Sequence, residues 1–274
     1  MLLLALSSSV TAWSPAALPK PYVLPRVENR VVVVHGQTRL SPAQQPVMNA
    51  ARNVVVTDMD ETLISKKSTG YIIKFLIFYK AFLRLACLAL PAFIILNLLS
   101  KFNRAAAVRI FYWLAFRGIR VDKAQAIAAD RLGQLYATDL QDPAASAVLD
   151  ADDAVVLTAS PEFMARPWLE QYLSVRPENV FGATLEVKNG RFTGKTGDLP
   201  LGQKKVELLK ACATCTAPGV SLTGYGDHPT DVPFLQACGR AVLVEELPAA
   251  QSGGCEYDPA RPMEPSVLAC LLTT

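Results

Sequence analysis

Histidine is nearly absent: the 274 residues hold two, His35 and His228. A Ser-His-Asp triad would have to recruit one of them, and no serine lies in a nucleophile-elbow sequence. A His-rich zinc site is excluded. So is a His followed five residues later by Asp, the acyl-transfer pattern, because Leu40 and Pro233 hold those positions. Cysteine is sparse and scattered: Cys87, Cys212, Cys215, Cys238, Cys255 and Cys270. That is no disulfide framework. The one Cys-x-x-Cys pair, Cys212 and Cys215, lacks the second pair or the strand-to-helix setting of a redox or metal motif and reads as free structural thiols. There is no internal repeat. There is also no dense basic stripe with interleaved aromatics, so nucleic acid is not an expected partner.

Charge is nearly balanced, with 27 basic and 24 acidic residues and a net +3. The apolar fraction is 51%, and a mean hydropathy of +0.25 is high for a purely soluble enzyme. The length suits one sizeable α/β domain with an insertion, or two small domains. The opening MLLLALSSSVTA has the look of a minimal secretory signal, and WSPAALPKPYVLPRVENR is Pro-rich and nearly acid-free, like a transit peptide. TAWSP resembles the junction of a bipartite plastid presequence. An unstructured arm over residues 1–50 is the equal alternative. Val31–Val34 has strand composition without a place in the pattern.

Short apolar runs at Asn53–Thr57, Ala154–Thr158, Val220–Thr223 and Ala241–Val244 alternate with helical stretches, which predicts a parallel, doubly wound α/β sheet. TLEVKNGRFTG reads as a hairpin turning at Asn189-Gly190. The tail from residue 247 to 274 reads as weakly structured.

Four motifs carry the chemistry. DMDETL follows the first strand, and alternation puts Asp58, Asp60 and Thr62 on one side, facing the crevice at the strand's carboxyl end. Two neighbouring carboxylates can divide nucleophilic attack from proton transfer. VVLTAS ends a second strand at Thr158, whose hydroxyl and following amides can hold a phosphoryl oxygen. LGQKKVELLKAC offers Lys204 or Lys205 as an inward cation. SLTGYGDHPTD places Asp227 and Asp231 four apart after a third strand, hard oxygen donors suited to Mg²⁺. Four gathered carboxylates would repel strongly, and a divalent cation with one lysine would offset most of that.

In this order the motifs resemble the haloacid dehalogenase (HAD) superfamily of phosphatases. From about Asn53 to about Thr273, VVLTASPEFMARPWLEQYL, FGATLEVKNGRFTGK and GYGDHPTDVPFLQAC further resemble the N-terminal phosphatase-like domain of plant glycerol-3-phosphate acyltransferases of the cutin and suberin type. The resemblance implies a HAD-type doubly wound parallel sheet flanked by helices, with a hydrophobic helical cap inserted after the first strand. It implies Asp58 as nucleophile and metal ligand, and Asp60 as general acid/base offering its backbone carbonyl to the metal. Thr158 and Lys205, with Lys204 as fallback, would bind phosphate. Asp227 and Asp231 would complete the metal site. The implied reaction is Mg²⁺-dependent hydrolysis of a phosphomonoester through an aspartyl-phosphate, on a lipid phosphate such as lysophosphatidic acid. Glu61 departs from the family, which usually has Gly there, and the acyltransferase domain that would follow the linker-like EYDPARPMEPSVLACLL is not in this sequence. A part of an acyltransferase without activity of its own, and a soluble phosphoserine-type phosphatase, remain the alternatives.

The expected organisation is therefore an N-terminal segment 1–50, a phosphatase core over 51–70 and 150–246, a cap over 71–149, and the tail 247–274. In the cap, Leu85–Ser100 is free of charge for 16 residues, short of the ~20 that a transmembrane helix needs. Because the strands before and after belong to one sheet, only zero or two full crossings are allowed. Two would bury Lys80 or Arg109 at about 2.5–3.5 kcal/mol each. In-plane helices or a hairpin dipping into one leaflet fit better, giving a membrane-associated protein of the endoplasmic reticulum or plastid. A cap whose apolar face packs on the core or on a second subunit is the alternative.

Overall fold

A computed structural model describes residues 51–88, 93–244 and 254–257. Strand β1 (Arg52–Thr57) leads into a helical insertion of α1 (Ser68–Phe78), α2 (Phe82–Cys87), α3 (Phe93–Phe102), α4 (Arg104–Phe116), α5 (Val121–Ile127), α6 (Gly133–Thr138) and α7 (Ala144–Asp150). Then come β2 (Asp153–Pro161), α8 (Glu162–Leu173), β3 (Val180–Ala183) and the hairpin β4 (Leu185–Lys188) and β5 (Arg191–Thr196). The chain continues through α9 (Gln203–Ala211), α10 (Ala213–Thr216), β6 (Val220–Gly226), α11 (Val232–Leu235), β7 (Arg240–Val244) and β8 (Gly254–Tyr257). The main sheet runs β3-β2-β1-β6-β7-β8, and its first five strands are parallel.

Both faces of that sheet are covered, which is why β1 and β2 read as unbroken apolar runs rather than alternating ones. Val54, Val56, Val155 and Leu157 face α9 and α11 through Val206, Leu209, Phe234 and Leu235. Val55 and Val156 face the other way, toward Met164, Trp168 and Leu169 of α8. The strand order reverses at β1, between β2 and β6, so the carboxyl ends of these three strands open a crevice there.

The four strands expected from the sequence are β1, β2, β6 and β7; β1 and β7 begin one residue earlier, and β2 and β6 run on as far as Pro161 and Gly226. The hairpin turns at Asn189 (φ 52°) and Gly190 (φ 68°), the two left-handed residues of a type I′ turn. The tail is not wholly unstructured, as Gly254–Tyr257 pairs antiparallel with β7 and satisfies that strand's outer backbone groups. The N-terminal segment and Val31–Val34 lie outside the described residues.

The inserted helices share one apolar cluster with the sheet. Phe75 and Phe116 of the insertion pack against Phe163, Phe116 also meets Phe192, and Tyr71 stacks on Tyr136, which in turn stacks on Trp168 with centroids 5.0 Å apart. The buried side of the cap is thus held by core packing. Among the described residues no helix is long and apolar enough to cross a membrane. The charge-free run Leu85–Ser100 falls on the last residues of α2 and on α3, with residues 89–92 outside the described ones.

Where β3 meets the start of α8 the backbones nearly touch. A Cβ on Gly182 would lie 2.6 Å from Glu162 Cα and 2.8 Å from its nitrogen. Gly182→Ala is therefore expected to destabilise the chain by about 1–3 kcal/mol. The measurement is the urea midpoint at unchanged slope; a midpoint equal to wild type would contradict this packing.

Candidate active site

The sheet's carboxyl edge gathers the four motifs. Asp58 follows β1 directly, and its N–H still donates to the Tyr225 carbonyl of β6 at 2.9 Å, so the strand pairing aims its side chain. Lys205, on the first turn of α9 and almost fully buried, donates to Asp58 Oδ1 at 2.5 Å and to Asp231 Oδ1 at 2.6 Å. Lys204 instead points outward to Asp198 and Glu207, each at 3.2 Å. Of the two candidate lysines, only Lys205 meets the carboxylates.

Carboxylate oxygens of Asp58, Asp227 and Asp231 lie within 4.8 Å of one another. Two unit charges at that separation repel by about 3.5 kcal/mol at an effective dielectric of ~20. Burial, opposed by Lys205 and reinforced by Asp231 and Asp227, raises the Asp58 carboxyl well above its usual range. Burial and then Asp231 push Asp227 up to about 7. Burial disfavours a charged Lys205, but its two carboxylates overcome this and hold the ammonium above its ordinary pKa. One lysine cannot neutralise three carboxylates. A divalent cation with oxygen preference fits the donor set, which contains neither sulfur nor imidazole.

Asp60 is turned away from this cluster. Its carboxylate accepts from the Ser68 hydroxyl, from the Ser68 N–H at 2.8 Å and from the Ser160 hydroxyl at 3.3 Å. The expected group of four side-chain carboxylates is thus three, and Asp60 stands apart with its own hydroxyl cradle. Burial raises its pKa despite those hydrogen bonds. Thr158 is buried at the end of β2, and its hydroxyl accepts from the Ser160 N–H at 3.0 Å. Thr62 donates to Asp227 Oδ1 at 2.7 Å, tying the first motif to the fourth.

Glu61 occupies a left-handed conformation (φ 59°), one that costs a non-glycine residue of order 1 kcal/mol. The Glu61 carboxylate takes a partner, Lys67 at 3.2 Å.

These groups line a cleft of about 680 Å³ whose other wall belongs to the cap: Ile72, Lys101, Arg104, Val108, Phe111 and Tyr112. Arg104, at the start of α4, reaches His228 beside Asp227, with 2.8 and 3.0 Å to the two ring nitrogens. Burial, and then Arg104, lower His228 to about 4, so the ring is neutral near pH 7. Sequence reading missed Ser68, Ser160 and Arg104. Ser160 was recoverable, since it stands two residues after Thr158 and shares its side of the strand. Ser68 and Arg104 belong to no motif, and only the folded insertion brings them in.

The sequence matches the family model described as haloacid dehalogenase-like hydrolase over residues 55–236. The chain belongs to that family. This HAD-like hydrolase is 28% identical over 152 residues to glycerol-3-phosphate acyltransferase RAM2 of Petunia hybrida, a stretch covering 54% of this chain and 31% of that protein. The chain thus matches about a third of that relative's length. Among solved structures, a protein of unknown function from Bordetella pertussis Tohama I superposes with a TM-score of 0.54 at 22% identity, over 70% of this chain and 90% of the other. That likeness shows the fold of the HAD-like hydrolase. A phosphoserine phosphatase carrying a phospho-aspartyl intermediate analogue gives a TM-score of 0.48 at 16% identity, over 70% and 86% of the two chains.

Proposed function

We propose that this HAD-like hydrolase is a Mg²⁺-dependent phosphomonoesterase acting on a lipid phosphate of the lysophosphatidic acid kind, in glycerolipid metabolism at a membrane surface. The observation that carries the reading is the pairing of Asp58 with buried Lys205 at the mouth of the sheet, with Asp60 held separately beside it. An Asp58 oxygen attacks phosphorus as the bond to the ester oxygen breaks, leaving a phosphoryl group on Asp58. Asp60, kept protonated more readily by its burial, gives its proton to the departing alkoxide. The same carboxylate then takes a proton from the water that attacks phosphorus, and phosphate leaves Asp58 free. Lys205 and the Thr158 hydroxyl hold non-bridging phosphoryl oxygens. Asp58, Asp227, Asp231 and the Asp60 backbone carbonyl would hold Mg²⁺, which supplies charge neutralisation of phosphate and nucleophile alike.

The cleft supports an organic group with apolar surface, because Ile72, Val108 and Phe111 form much of its cap wall. Lys101 and Arg104 at the same wall favour an anion in either case, and they leave phosphoserine as the competing substrate. The test is phosphate release from lysophosphatidic acid and from phosphoserine, each with Mg²⁺ and with EDTA. The expected outcome is release from the lipid that falls at least about 100-fold on metal removal. Release from phosphoserine alone would replace the lipid reading, and release that persists in EDTA would sink the metal assignment.

A further inference from the structure

Between Glu61 and Asp122 the sequence has no acidic residue at all: residues 62–121 hold ten of the chain's 27 basic residues and none of its 24 acidic ones. This acid-free stretch runs from the end of the first motif through α1 to α4, whose inner sides pack on the core through Tyr71, Phe75 and Phe116. It also holds most of the large apolar side chains left in solvent. Leu83 is 81% exposed, Phe82 62% and Phe102 88%, and Trp113 and Ile110 are half-exposed. Apolar and basic groups are interleaved. Phe82, Leu83 and Trp113 share a groove of about 390 Å³ between α2 and α4 with Lys80, Arg84 and Arg117, and the Arg117 guanidinium lies 4.9 Å over the Trp113 ring. Lys80, Arg84, Lys101, Arg104, Arg109 and Arg117 have no acidic partner among the described residues.

We infer that this face seats the cap on an anionic lipid surface, with Phe82, Leu83 and Phe102 inserted among the headgroups and the basic side chains against their phosphates. Charge complementarity selects the occupant. A second copy in a two-fold contact would set this acid-free face against itself, cation on cation. A bilayer with anionic lipid meets both halves of the surface, since aromatic and aliphatic tips enter the interface while Lys and Arg stems snorkel to the phosphates. Phe102 also stands beside Lys101, which lines the catalytic cleft. Docking by this face therefore puts the cleft mouth at the lipid boundary, a consequence that rests on the phosphatase reading above, whereas the docking itself does not.

The experiment is co-sedimentation of the whole protein with phosphatidylcholine vesicles, with and without phosphatidylglycerol, at low and high salt. Leu83→Asp, Phe102→Asp and the pair Lys80→Glu/Arg117→Glu are compared with wild type, and circular dichroism melting confirms that each is folded. Anionic vesicles are expected to bind at least about tenfold better than neutral ones, with the advantage lost at 0.5 M salt, where screening is short-ranged. Each variant is expected to lose at least about tenfold of that binding. Equal binding to neutral vesicles, or folded variants that bind like wild type, would overturn the inference. So would a wild-type dimer in light scattering that Leu83→Asp dissolves. Because vesicle binding is read without turnover, a failed phosphatase assay leaves this result standing.

Discussion

Asp58→Asn is expected to abolish phosphate release, by at least about 10³-fold in kcat, while leaving the fold as stable as wild type or more so. The amide keeps the shape of the side chain and its place after β1, but it cannot form the acyl-phosphate bond. Stability moves the other way because of the surrounding charge. The Asp58 carboxyl has a folded-state pKa raised above its unfolded value, chiefly by burial and also by Asp231 and Asp227. Such a group favours the folded chain at low pH, and that contribution is lost as pH rises through the raised value. At pH 7 to 8, without divalent cation, the native carboxylate is therefore a cost that asparagine removes. Lys205 keeps its second partner, Asp231, in the variant. Thermal melting in EDTA at pH 5 and pH 8 checks the sign: the variant should gain on wild type as pH rises. A variant that retained a tenth of the activity would rule out Asp58 as nucleophile. One that melted far below wild type at pH 8 would show that the carboxylate stabilises the site.

How much of this was legible beforehand follows from which interactions are local. The parallel sheet was readable because β1, β2, β6 and β7 are buried on both faces and so appear as short apolar runs. The Asn189-Gly190 turn was readable because two consecutive left-handed residues leave few side-chain choices. Strand β3 was not singled out, since VFGA is four residues long with a glycine in it, and β8 owes its place to pairing with β7. In the site, Asp58, Asp227 and Asp231 sit on strand ends and their following turns, where sequence order maps simply onto space. Asp60 broke the expected grouping because its partners, Ser68 and Ser160, come from the start of the insertion and the end of β2, which meet only in three dimensions. The choice between Lys204 and Lys205 turned on helix phase, and α9 resolves it by burying one and exposing the other.

Lys205→Met is expected to be the most damaging single substitution for activity and stability together. The side chain is 2% exposed and its ammonium serves two carboxylates at 2.5 and 2.6 Å. Methionine fills similar space, so the loss is one of charge rather than volume. Removing one partner of a buried ion pair costs about 3–5 kcal/mol because the other partner is left uncompensated. Here two partners are left, next to Asp227, whose pKa already stands at about 7. The deficit should depend on pH in a definite direction. Without the ammonium, the Asp58 carboxyl rises still further above its unfolded value, and the stability linked to its protonation is lost as pH climbs. Urea unfolding in EDTA should thus show a large deficit at pH 8 that shrinks toward pH 5, where carboxylates take up protons. Activity should fall at least about 10²-fold at every pH, since the ammonium that would face the phosphoryl oxygens is gone. A stability deficit of equal size at pH 5 and pH 8 would assign Lys205 a packing role in place of a charge-pairing one. A near-normal rate would remove it from the phosphate-binding set.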